Sequence, residues 1–218
     1  MRPLAAVMVL LACSGCSSLM GSKDVTKADF DFGPVPAASS AHHTNYSGVS
    51  IMVYEVTAPA WIDNSSMYYR LAYQNAANPM PYAQSEWVMS PAALLTQRLR
   101  SALSASGSGE IVQVSADQLA VYTLRSELFE FEQVFDQPGR SRGVLRLRAT
   151  LEGKGGWAQR TFVIEKPAPT PDAAGGVAAL SQCADELAAL IDEWAAGKRP
   201  NGREAGDVDG RLRAANRP

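Results

Sequence analysis

The residues best equipped for metal or redox chemistry are few: this 218-residue chain has three cysteines and two histidines. Cys13 and Cys16 stand at Cys-x-x-Cys spacing, the pattern of a redox couple or a zinc half-site. No second pair completes it, because the other candidates are the adjacent His42 and His43 and the distant Cys183. A closed structural zinc site needs four ligands, so a different chemistry fits better. Met1-Arg2-Pro3 carries one positive charge, Leu4 to Ala12 is small and apolar, and the run stops at Cys13-Ser14-Gly15-Cys16. That is the shape of a secretory signal, too short to cross a bilayer. Small residues just before a cysteine suit acylation of its thiol. Cys16 is the favoured position because it follows Ser14-Gly15 and opens Cys16-Ser17-Ser18-Leu19. Cys13, behind Val9-Leu10-Leu11-Ala12, is the alternative and would leave an unusually short signal. Two or more acyl chains would hold the chain at a membrane stably, where one binds marginally.

Carboxylates offer the other route to chemistry. Glu127, Glu130 and Glu132 could supply the acid and base of a glycosidase. Charges spaced this way along a strand more commonly make its solvated face. No Gly-x-x-x-x-Gly-Lys-Ser/Thr is present, so an ATPase role lacks its phosphate cradle. The glycines of Gly153-Lys154-Gly155-Gly156 precede a strand and open no helix. No histidine falls in the expected core, which removes the usual base of a serine or cysteine hydrolase. Twenty Lys+Arg against 22 Asp+Glu, a formal charge of -2, leaves no basic excess for nucleic acid. No catalytic residue, metal or cofactor is expected.

The elements that must position any site follow from periodicity. Residues 1–15 read as a signal peptide. Residues 16–47, rich in Ser, Gly, Ala and Pro, read as a flexible tether; 48–196 as one folded domain; and 197–218 as a disordered tail. Val49–Val56 is apolar on both faces, a doubly buried strand. Met67–Tyr73 and Ser85–Met89 are aromatic-rich strands between the turns at Asn64-Ser65-Ser66 and Asn78-Pro79-Met80-Pro81. Ser90-Pro91 starts a helix that ends near Ser106-Gly107, with Leu95, Leu99, Ala102 and Leu103 on its apolar stripe and Gln97, Arg98 and Arg100 off it. Ile111–Val114 and the run Leu119–Phe131 are strand-like. Leu145, Leu147, Ala149 and Leu151 alternate with Arg146, Arg148 and Thr150, the pattern of a half-buried antiparallel strand whose hairpin partner is Ala158–Glu165. Asp172–Trp194 is a long amphipathic helix with Val177, Leu180, Ala184, Leu187, Ile191 and Trp194 on one stripe. Cys183 beside it reads as a small buried hydrophobe. The expected fold is α/β of the α+β kind: a curved, mixed, largely antiparallel sheet with two main helices packed on it, in a single domain.

Apolar and aromatic residues stand out more than polar ones. Ala58-Pro59-Ala60-Trp61-Ile62-Asp63, Met67-Tyr68-Tyr69-Arg70 and Trp87 are either core or an amphipathic docking edge. Val56-Thr57-Ala58-Pro59-Ala60-Trp61-Ile62-Asp63, Met67 to Tyr73, Tyr82-Ala83-Gln84-Ser85-Glu86-Trp87, Pro91 to Arg100 and Phe131 to Asp136 together resemble the auxiliary lipoproteins of ABC-type transport systems that serve MCE-domain lipid carriers, including the paraquat-inducible lipoprotein type. The resemblance covers about residues 48 to 195. It implies an α/β domain facing the periplasm that helps move phospholipid or other hydrophobic cargo between membranes. The implied partners are an MCE-domain protein, an ABC permease and ATPase, and outer-membrane phospholipid. It maps lipidation to Cys16, and the Ser after either cysteine implies an outer-membrane anchor on the periplasmic face. Trp61, Asp63, Met67, Tyr69, Arg70 and Trp87 are then the candidate contacts to partner or lipid. A periplasmic binder of hydrophobic ligands outside any MCE system, and an envelope hydrolase, are the alternatives.

Overall fold

In the computed structural model, residues 27–35, 50–105, 121–153 and 155–197 are described. The signal, most of the tether, Cys13, Cys16, the two histidines, Ile111–Val114 and the tail beyond Gly197 lie outside them. The organising element is β5 (Val121–Gln137), a 17-residue strand. One of its edges pairs antiparallel with β6 (Arg140–Gly153), which pairs antiparallel with β7 (Gly156–Pro167). Its other edge is shared end to end by two short strands, both parallel to it: β2 (Ser50–Val53) at the start and β3 (Ser66–Leu71) at the finish. β3 continues antiparallel to β4 (Pro79–Trp87), and β4 is flanked in parallel by β1 (Ala28–Phe30). The result is an open mixed seven-stranded sheet with β1 and β7 at its ends. The helices are α1 (Ala72–Asn75), α2 (Pro91–Ala105) and α3 (Ala173–Gly197).

Alternation along β6 decides which face is core. Leu145, Leu147, Ala149 and Leu151 are buried beneath α3, whose Leu180, Ala184, Leu187 and Ile191 close over them. Val177 on the same helix stripe is only partly buried. Gly143 lets the helix come close: a Cβ there would meet the Ala179 backbone at 3.0 Å. On β5 the row facing the core changes parity, from Leu124, Ser126 and Leu128 to Phe131, Gln133 and Phe135, although Glu132 and Val134 between them are buried as well. A bulge causes it, because Leu128 pairs with Leu147 but Glu130 already pairs with Arg146. The extra residue, Phe129, turns the strand so that Glu127, Glu130 and Glu132 share one face. Asp172 caps α3 by accepting from the Gly175 N–H at 2.8 Å. That contact, with the Thr170 hydroxyl, holds its carboxyl below the usual range.

α2 starts as its cap residues dictate, the Ser90 hydroxyl accepting from the Ala93 N–H at 3.3 Å. Its stripe differs from the sequence expectation at Arg98, which is buried. The guanidinium donates to the carbonyls of Phe32, Gly33 and Pro34 and lies 3.2 Å from Asp185 on α3. Those carbonyls and that carboxylate replace water, which is why a charge survives inside. The same contacts bring residues 27–35, assigned by composition to the tether, onto the domain. Phe32 completes a three-ring cluster with Trp87 and Phe131, each pair 5.6 Å apart. Pro79 and Pro81 read as turn residues yet lie within β4. Among the described residues their far side has no paired strand, since β1 reaches only Ser85–Trp87, and a missing N–H is harmless at such an edge.

Candidate functional site

The face of the sheet turned away from α3 carries the charges. Arg148 reaches Glu127, Arg146 lies 3.2 Å from Glu130, Arg142 bridges Asp136 and Glu165, and Arg125 lies 3.8 Å from Glu152. These are cross-strand rungs between directly or diagonally opposed residues of β5, β6 and β7. Each of the three glutamates weighed as catalytic acids is thus engaged by an arginine, the third by Arg70. Glu127 and Glu130 lie at the solvent, whereas Glu132 is buried, and each is paired with an arginine.

Toward the β3 side the face becomes aromatic, and the chain path explains how. Residues 50–71 follow the edge of β5, held at β2, then by an isolated bridge at Thr57, whose N–H donates to Ser126 and whose carbonyl accepts from Leu128. Between Thr57 and β3 the chain leaves the sheet and returns. The excursion is a tight turn, with the Ile62 and Asp63 N–H groups both donating to the Pro59 carbonyl at 2.8 and 3.0 Å. Asn64 ties it down, its amide donating to the Ala60 and Trp61 carbonyls and its Oδ1 accepting from the Ser66 N–H. Ile62 plugs into the core while its neighbour Trp61 stays 39% exposed, edge-on to Tyr68 at 5.7 Å. A braced loop therefore presents an indole.

The six contact candidates divide by strand parity. Trp61 and Asp63 are exposed on the loop. Met67 is fully buried and Trp87 is 1% exposed, both in the core. Tyr69 faces inward with Tyr82 and Phe135, at 4.6 and 6.1 Å. Arg70 shares the open face with Tyr68 but is committed to structure: its Nε donates to Glu132 at 2.8 Å and its Nη1 to the Ala76 carbonyl. Glu132 is nearly sealed, and burial raises its carboxyl above the usual range against the opposing pull of Arg70. Sequence reasoning passed over Tyr68, which the two-residue period of β3 puts beside Trp61. It also passed over Trp157 and Val163, the most exposed large apolar side chains of β7 at 72% and 54%. The signal for both was the hairpin itself, since residues alternating with the buried Phe162 and Ile164 must face outward.

A cavity of about 750 Å³ opens where β2 meets β5 and is bordered by Tyr54, Glu55, Arg100, Arg125, Glu127 and Arg148. Arg125 stacks over the Tyr54 ring at 4.1 Å. Met52 and Val53 also border it, so the lining mixes apolar and charged groups. Beneath the sheet, Gln133 links the Tyr82 hydroxyl at 2.7 Å to the Ser141 hydroxyl at 2.8 Å, a satisfied polar chain in the core. Burial pushes the Cys183 thiol up to about 12, so it packs as a hydrophobe and is no nucleophile at neutral pH.

Among the described residues no helix is long and apolar enough to cross a membrane. No curated protein matches the sequence. Two solved structures share the fold: an uncharacterized protein, 18% identical with TM-score 0.60, matched over 78% of this chain and 99% of its own, and a protein from Xanthomonas campestris, 19% identical with TM-score 0.57, matched over 78% and 90%. A family profile described as ABC-type transport auxiliary lipoprotein component matches residues 30–192, from the end of β1 almost to the end of α3. The chain belongs to the family of ABC-type transport auxiliary lipoprotein components.

Proposed function

We propose that this chain is a non-enzymatic lipoprotein that docks an MCE-domain protein of an ABC-type lipid transport system from the periplasmic face of the outer membrane. Cys16, or alternatively Cys13, would carry the acyl anchor, and residues 16–26 would lead from it to the clamped segment at 27–35. The observation that carries the docking role is the braced loop: Ile62 is buried, and hydrogen bonds from Asn64 and to Pro59 fix the backbone while Trp61 and Tyr68 face solvent. Loops held this firmly around an exposed aromatic suit recognition, because little entropy is lost on binding.

The test pairs capture with stability. Trp61→Ala should weaken capture of the purified MCE-domain protein by at least about tenfold, the loss typical of a central aromatic contact, while the melting temperature stays near that of the parent. Capture by Trp61→Ala at the parent's affinity would remove this loop from the mechanism. Cys16→Ala, and the double variant with Cys13→Ala, should lose palmitate incorporation; full labelling of the double variant would refute the anchor.

A further inference from the structure

The two ends of the sheet are protected unequally. β1 is three residues long and is pinned by Arg98 and the Phe32 ring. β7 has 12 residues, pairs with β6 without a bulge, and has no proline before Pro167. Natural edges are usually shortened, bulged, covered or heavily charged, because an open ladder invites another strand. Among the described residues, nothing pairs with the outer side of β7.

The direction of its backbone groups follows from one bond. The Ala168 N–H donates to the Ser141 carbonyl at 2.9 Å, so Ser141 and Ala168 are a hydrogen-bonded pair. The register to β6 runs on unbroken from there. Alternation in an antiparallel ladder then directs Ala158, Arg160, Phe162, Ile164 and Lys166 toward β6, and leaves the N–H and C=O of Trp157, Gln159, Thr161, Val163 and Glu165 pointing outward. Pro167, which has no N–H, closes that outward row.

Side chains along this edge state what would fit. On the open face Trp157 and Val163 are exposed and apolar. On the helix-side row Lys166 is paired with Glu186, whereas Arg160 is exposed and lies over the Phe162 ring at 4.8 Å. That row contains no carboxylate, so a second copy of β7 added across a twofold axis would set no strand carboxylate opposite Arg160.

We infer that β7 is a strand-addition site for an extended segment of a partner polypeptide, one with apolar side chains facing Trp157 and Val163 and a carboxylate facing Arg160. Main-chain bonds to the outward row supply affinity and the alternating side chains supply selectivity. The site is separate from the Trp61 loop, and either can fail alone.

A capped nonapeptide alternating valine and glutamate, and its valine–lysine counterpart, are the probes for the full chain. The glutamate peptide should slow amide exchange of Trp157, Gln159, Thr161, Val163 and Glu165 at least about tenfold at saturation, with the lysine peptide binding at least about tenfold more weakly. Thr161→Pro deletes an outward N–H without touching a β6 bond, and should weaken binding at least about tenfold, while Thr161→Ala stays within about twofold. Arg160→Glu, which leaves the backbone intact should the proline variant misfold, should reverse the preference toward the lysine peptide. Four results would overturn the assignment: no binding, protection elsewhere, equal binding of both peptides, or exchange at β7 that slows with protein concentration alone, which would make a second copy the occupant.

Discussion

Along β6, Leu145, Leu147 and Ala149 are fully buried under α3, while Arg146 and Arg148, one residue over on the same strand, reach carboxylates at the solvent. The two faces are built from the same backbone and held together by different physics. The inner face stabilises by removing apolar area from water, which accumulates with every side chain. The outer face gains little from each rung, since exposed ion pairs in water contribute roughly 0 to 1 kcal/mol. Stability should therefore depend on the inner face, leaving the outer face and the β7 edge open to selection for contact. The comparison is sharpest for two tryptophans. Trp87 is the inner-face extreme, locked between Phe32 and Phe131, and Trp61 the outer-face one.

Trp87→Ala should give the largest effect, about 3–5 kcal/mol of lost stability in urea unfolding, as for large aromatic truncations in cores. It should also loosen residues 27–35, because Phe32 loses a ring partner. A loss under about 1 kcal/mol would mean that the cluster is not part of the core that holds the N-terminal segment, and the contrast between faces would collapse.

Arg70 and Glu132 lie on the outer face by parity but are shielded like core, so they test where the boundary runs. Removing one partner of a buried pair costs more than an exposed rung. Arg70→Ala should cost about 2–3 kcal/mol, below the value for a fully buried pair because Arg70 is partly exposed. The pH dependence has a definite sign. Burial raises the Glu132 carboxyl in the folded state. Between its unfolded and folded values the folded chain binds the extra proton, so this contribution to stability is present below the unfolded value and is lost as pH rises through the folded one. Glu132→Gln should flatten that segment of the stability–pH curve while keeping an acceptor for the Arg70 Nε. An unchanged slope in the Gln variant would place the charge in water after all.

The inner face was also the legible one. Clean alternation on β6, the hairpin to β7 and the three-and-four spacing on α3 could be read from sequence because one kind of side chain repeats wherever a surface is buried. The mixed α/β sheet follows from those same runs. Three features resisted for physical reasons. Phe129 hides a bulge, so a fixed two-residue period misassigns faces beyond it. Arg98 looks like a solvated helix residue until the carbonyls of residues 32–34, distant in sequence, fold back onto it. Pro79 and Pro81 carry turn chemistry locally but sit in β4 where, among the described residues, no strand pairs on the other side. The contact candidates suffered from the same difficulty: choosing between Met67 and Tyr68 needs the phase of β3, and the phase is set by pairing to β5 rather than by composition.

The smallest expected effect concerns one rung of the ladder. Arg146 and Glu130 face each other across β6 and β5 at 3.2 Å, with the guanidinium side chain 46% exposed and the carboxylate 35%. A double-mutant cycle with Arg146→Ala and Glu130→Ala should return a coupling of about 0.2–1 kcal/mol at low ionic strength. Half-molar salt should shrink it further, because the screening length then falls below about 5 Å and approaches the separation of the charges. The rungs on either side matter to the outcome: Glu127 with Arg148 and Glu132 with Arg70 flank this pair, so part of the field survives either single substitution. A coupling above about 2 kcal/mol, insensitive to salt, would show that the outer face is shielded from water in the protein as it works, which a docked partner covering the ladder would produce.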